Sequence, residues 1–143
     1  MGRIAIGALL IGALAPAGAT AAPADPDGRY SGAHVGPNGQ RLSQRISFRV
    51  SNDGRRITRL RSTATTFCVG PTLFDNRIFI APVHLEKIRA RRNGRFDVVL
   101  EPVEGTKFEV SGRRRGRRVE GRLDVRSANC AGRDEFVARR VGP

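Results

Sequence analysis

The chain has 143 residues, 39% of them apolar, which allows one modest core and leaves little room for several domains. Its formal charge is +13, and only Lys87 and Lys107 among the 26 basic residues are lysines, so the surface favours acidic partners through the bidentate fork of arginine. Aromatic residues make up 6% with no Trp, so the stacking platform used for single-stranded nucleic acid is missing.

The first segment reads as a leader rather than as fold. Met1-Gly2-Arg3 carries one positive charge, Ile4 to Leu14 is an apolar run of Ile, Ala, Gly and Leu, and small residues follow. This is the pattern of a secretory signal peptide over residues 1–24. Cleavage fits after Ala19, Ala21 or Ala24, and the last is preferred, leaving 25–143 as one β domain. The apolar run is shorter than the ~20 residues that span a bilayer. No twin-Arg pair is present, which favours the general export route, and no Cys lies near the cleavage region for lipid attachment.

From Asp25 onward the chain is punctuated as an all-β protein. Gly28 to Val35 reads as a first strand, broken by Gly36-Pro37-Asn38-Gly39. Ile46, Phe48 and Val50 then alternate with Ser47, Arg49 and Ser51, the period of a half-buried strand. Asn52-Asp53-Gly54 follows as a hairpin turn. A two-residue Asp53-Gly54 loop pairs Val50 with Ile57 but turns Leu60 outward. A three-residue loop pairs Ile46 with Leu60 and leaves Ile57 outside. Both side chains face the core only if a bulge lies between them.

After Cys68, Val69-Gly70-Pro71 turns the chain, and Asn76 to Ala81 reads as a strand stopped by Pro82. A three-residue loop Arg92-Asn93-Gly94 pairs Ala90 with Phe96 and Ile88 with Val98, and sets Arg89 opposite Asp97. Glu101 to Gly105 is a turn. Phe108, Val110 and Gly112 precede Arg113-Arg114-Arg115-Gly116-Arg117-Arg118, and Val119, Gly121, Leu123 and Val125 alternate after it. Ala128 to Gly132 turns into a last strand from Glu135 to Val141. No window carries a capped helical period. The expected fold is a single antiparallel β-sandwich or β-barrel of about 8–10 short strands. Its expected core is Tyr30, Ile46, Phe48, Val50, Phe67, Ile78, Ile80, Ile88, Phe96, Val98, Phe108, Val110, Val119, Leu123, Val125 and Phe136.

Cys68 and Cys130 are the two cysteines. In an exported chain such a pair is expected to form a disulfide. A zinc site with His34 and His84, or a reactive thiol, is the alternative, but the close ligand spacing of metal sites is missing. Each His is otherwise read as a satisfied or exposed structural residue.

Several short motifs recur in order: G-x-Y-x-G at Gly28 to Gly32, I-S-F-x-V-x-x-D-G-R at Ile46 to Arg55, Cys68, N-G-R-F at Asn93 to Phe96, and Cys130-Ala131-Gly132. This order resembles small secreted β-domain proteins of actinobacterial type, over Gly28 to about Phe136. The resemblance implies export and a β fold and carries no activity. Many such sequences have a Trp in the last strand, where Phe136 stands here.

The conspicuous chemical feature is the run Arg113, Arg114, Arg115, Arg117 and Arg118 at an expected hairpin tip, a candidate anion-binding site. Further arginines, such as Arg49, Arg59, Arg61, Arg89, Arg91 and Arg122, come from the outward faces of other strands, and the sequence does not fix whether they share its face. Its bland counterpart is a solvated, self-repelling tip that keeps a β edge from pairing, in a chain whose arginine excess also matches GC-rich coding. No G-x-S-x-G, H-E-x-x-H or phosphate-binding Gly loop occurs, and Glu101 and Glu104 read as a polar loop. No catalytic residue, cofactor or metal is expected. The leading expectation is a secreted, non-catalytic binding or structural module of the cell envelope or extracellular space. Its expected partners are anionic envelope polymers or lipid head groups rather than nucleic acid. The competing one is a small secreted hydrolase whose site is assembled from scattered residues.

Overall fold

The computed structural model describes residues 25–70 and 77–143, with only the backbone of residues 77–81 and Val103. The leader expected over 1–24 lies outside the described residues, as do the side chains of Ile78 and Ile80. The described chain forms eight strands: β1 (Gly28–Val35), β2 (Arg41–Ser51), β3 (Arg56–Cys68), β4 (Arg77–Arg89), β5 (Arg95–Val103), β6 (Thr106–Arg115), β7 (Arg118–Arg126) and β8 (Cys130–Gly142). They make one antiparallel sheet in the order β4-β3-β2-β1-β8-β7-β6-β5. Two four-stranded meanders are therefore joined through β1 and β8. The end strands β4 and β5 meet at an isolated bridge, Ala90 to Phe96.

The strands are longer than expected, with 13 residues in each of β3, β4 and β8. Pro82 does not stop its strand but pairs with Thr63 inside β4. β4 is an end strand, where a missing N–H costs no ladder bond on the open side. That continuity also moves Ile88. It pairs with Ile57 rather than Val98, and Arg89 stands opposite Arg56 rather than Asp97. The Ala90–Phe96 pair and the three-residue loop hold, with Gly94 at φ 76°.

The first hairpin adopts the two-residue loop. Asp53 and Gly54 have φ of 54° and 77°, Arg55 N–H donates to Asn52 O at 3.1 Å, and Val50 pairs with Ile57. The predicted bulge is present. The register shifts by one residue between Arg49–Thr58 and Ser47–Arg61, and Arg59 takes φ 52°. Ile57 and Leu60 are consequently both buried. The same shift decides Phe67. Beyond the bulge the inward positions are Leu60, Ser62, Ala64 and Thr66, so Phe67 points outward and is 48% exposed rather than core.

One continuous core lines the inner side of the sheet, from Val83, Leu85 and Ile88 on β4 to Phe96 on β5. A sheet whose end strands share one core must curve around it, as in a sandwich or barrel. The other expected core positions are buried, except Val98 and Phe108, which pack half-buried against its rim. Leu60, Ala64 and Ala138 join them. Gly112 and Gly121 make room for two rings. A Cβ on Gly112 would lie 2.5 Å from the Phe96 ring, and one on Gly121 would lie 2.4 Å from the Phe136 ring.

β3 branches. Its first half pairs with β2, while Phe67 and Cys68 pair with Ala131 and Cys130 of β8. Cys68 and Cys130 are disulfide-bonded at that junction, 62 residues apart in sequence. Between these two pairings Thr65, which pairs with Ile80 of β4 on its other side, donates its N–H to the Asp134 carboxylate at 2.6 Å.

Candidate functional site: a basic sheet face

Residues paired directly across an antiparallel sheet share a face, so the register fixes what stands beside what. Arg61 pairs with Ser47, Ser47 with Ser31, Ser31 with Arg139, Arg139 with Arg118, and Arg118 with Arg115. All six are exposed. They form one row across β3, β2, β1, β8, β7 and β6, about 24 Å long at ~4.8 Å per strand. Two residues further along, Arg49 pairs with Arg29. Arg59 lies beside them because the bulge gives β3 an extra outward residue.

These side chains surround a depression of about 370 Å³ lined by Arg29, Ser31, Ser47, Arg49, Arg59, Arg61 and Val141. A second depression of about 540 Å³ shares Ser31 and Val141 with it and adds Arg41, Arg118 and Arg139. Beneath the serine pair, the Tyr30 and Phe48 rings stack on the core side with centroids 5.3 Å apart. The floor is therefore sheet backed by core rings.

Ion pairs engage several arginines outside the two depressions and Arg118 at one end of the row. Arg91 pairs with Asp97 at 3.3 Å, Arg118 with Glu120 at 2.7 Å, and Arg140 with Asp25 at 3.6 Å. Arg122 and Arg133 both hold the buried Asp124 carboxylate, at 2.6 and 2.7 Å. Burial alone would raise the Asp124 carboxyl, but hydrogen bonds from Arg133 and Arg122 outweigh it and hold it below its usual range. Among the described residues, Arg29, Arg49, Arg59, Arg61 and Arg139 have no acidic partner.

The Arg113–Arg118 run does form a hairpin tip, with Gly116 at φ 57°, but its members part company. Arg113, Arg115, Arg117 and Arg118 are exposed. Arg114 follows Val110 and Gly112 on the inward side and folds over Gly54, where a Cβ would stand 2.6 Å from its guanidinium. Arg140 does the same over Gly28. These two, with Arg117, lie near Tyr30, whose hydroxyl donates to Pro26 O at 2.8 Å. Burial raises the Tyr30 phenol above its ordinary value against the pull of those arginines. Of the further arginines singled out in the sequence, Arg49, Arg59 and Arg61 reach the basic face. Arg89, Arg91 and Arg122 do not line either depression.

A polar cluster occupies the branch of β3. His34 is fully buried, and its Nε2 lies 2.7 Å from Ser62 Oγ. Its Nδ1 is 3.8 Å from Asp134 Oδ2. Desolvation lowers the imidazole pKa, against the opposing pull of Asp134. Serine, imidazole and carboxylate thus stand in the order used for acyl transfer. With the imidazole buried and the carboxylate engaged by Thr65 N–H, the group ties β1, β3 and β8 together. Among the described residues no cluster of His, Cys, Asp and Glu could hold a metal ion.

The sequence did not single out Arg29, Ser31, Ser47 or Arg139. Their outward phase was readable from alternation, but their adjacency depends on β1 lying between β2 and β8. No family model, curated protein or solved structure matches this chain.

Proposed function

We propose that this chain is an exported, non-catalytic binding module that holds anionic polymers of the cell envelope on the outer face of its sheet. Export rests on the leader pattern of residues 1–24. Binding rests on one observation above all: five exposed arginines, Arg29, Arg49, Arg59, Arg61 and Arg139, gather on one sheet face without a neutralising acid among the described residues. Unpaired guanidinium groups gain most from an incoming phosphate, sulfate or carboxylate, by forked hydrogen bonds and by counterion release. Arg118 and Arg115 continue the row toward the tip, so a chain of charges suits the face better than one ion. The row holds no exposed aromatic ring, which sets this surface apart from base-stacking grooves. Retention on a heparin column tests the reading. The protein should elute only at high salt, and Arg49→Ser with Arg61→Ser and Arg139→Ser should elute far earlier. Equal elution of the triple variant contradicts it. Tight capture by anionic lipid vesicles, with no retention on heparin, would move the partner from polymer to membrane.

A further inference from the structure

The basic face is not uniform along its length. At its β6–β7 end, Arg118 is already neutralised by Glu120. At its β1–β3 end, two serine hydroxyls stand side by side at the floor of the smaller depression, and arginines rise around them. A hydroxyl pair bracketed by guanidinium groups suits an anion that accepts several hydrogen bonds at once, since each serine donates one and each arginine offers a planar fork.

The backbone contributes a second observation. Arg59 takes φ 52°, in the left-handed region that an L residue with a long side chain rarely enters. Bulges of this kind re-aim side chains and gather beside binding sites. Here the bulge does two things together. It turns Leu60 into the core and delivers both Arg59 and Arg61 to the depression, where strict alternation from Ile57 would have buried both of them. A glycine would serve the backbone alone; an arginine adds a charge.

We infer that the depression over Ser31 and Ser47 is a built site for one tetrahedral oxyanion, a phosphate or sulfate group, held by Arg29, Arg49, Arg59 and Arg61. The inference rests on the polyanion reading and narrows it. The polymer is recognised at this point by one seated group, and the remaining arginines hold its neighbours along the row toward Arg115.

Amide NMR on the purified, disulfide-bonded protein tests this, with inorganic pyrophosphate and sodium sulfate as probes and chloride at equal ionic strength as reference. Saturable shifts should centre on Ser31, Ser47 and Arg49. Arg59→Gly should weaken binding about tenfold, through loss of charge-assisted hydrogen bonds, with an unchanged or higher unfolding midpoint. Ser31→Ala and Ser47→Ala should each weaken it several-fold. A response to pyrophosphate alone assigns the site to phosphate, and a response to sulfate alone assigns it to sulfate. Shifts no larger than those in chloride, or Arg59→Gly binding as the parent does, overturn the site. If heparin retention persists under that result, the broader polymer reading survives without it. Saturable pyrophosphate binding with no heparin retention keeps the site and ends the polymer reading.

Discussion

Ile57 and Leu60 stand three residues apart on β3 and are both buried, at 3% and 2% exposure, because Arg59 between them adopts φ 52°. One irregular residue thus sets the inward phase of the rest of the strand, as far as Thr66, and presents an additional arginine to the outer face. Core and candidate site depend on the same backbone distortion.

That dependence predicts opposite outcomes for two substitutions. Left-handed backbone costs an L residue about 1–2 kcal/mol, and a β-branched one more. Arg59→Gly should leave stability unchanged or raise it slightly, whereas Arg59→Val should lose about 1–2 kcal/mol. Urea unfolding midpoints with constant slope provide the comparison. Equal losses in both variants would mean that the arginine side chain, and not the backbone, carries the effect.

The disulfide should matter more than any surface pair. Cys68 and Cys130 are register neighbours that close 62 residues, for which loop-closure entropy gives about 4 kcal/mol. Cys68→Ser with Cys130→Ser should therefore lower the unfolding free energy by roughly 3–4 kcal/mol, a large part of a typical domain's 5–15. A loss under about 1 kcal/mol would show that β3–β8 pairing and the Asp134 contact hold the junction without it.

Acidification should act through His34. Its folded pKa lies below the ordinary value because burial disfavours the imidazolium. The unfolded chain then binds more protons between the lowered folded pKa and about 6.5, so stability rises with pH across that window and falls as pH drops through it. Melting temperatures between about pH 5 and 7.5 should show this slope, and His34→Gln should flatten it whatever its absolute stability. A variant with the parent's slope would place the titration elsewhere.

Much of the fold was legible in local pattern. The alternation from Ile46 to Val50 and from Val119 to Val125, the Asp53-Gly54 turn and the conflicting phases of Ile57 and Leu60 sufficed for an antiparallel sheet with a bulge. Phe67 lies outside the core because the phase shift at Arg59 persists to the end of the strand. Pro82 sits within β4 because a proline's effect depends on whether its strand lies at an end of the sheet, which is a property of strand order. The candidate site was less legible for a related reason. The consecutive Arg113–Arg118 run draws the eye, yet alternation sends Arg114 inward and Glu120 neutralises Arg118. The cluster around the two serines is drawn from β1, β2, β3 and β8, and only the adjacency of β1 and β8 brings Arg139 beside Ser31.

If the arginines around Ser31 and Ser47 bind a polyanion, the salt dependence of binding to a defined inorganic polyphosphate should carry their signature. Log affinity should fall steeply and linearly with log salt. Its slope should drop by roughly one for each of Arg49, Arg61 and Arg139 replaced by serine, as counterion release requires. A slope and affinity unchanged by removing all three would contradict it.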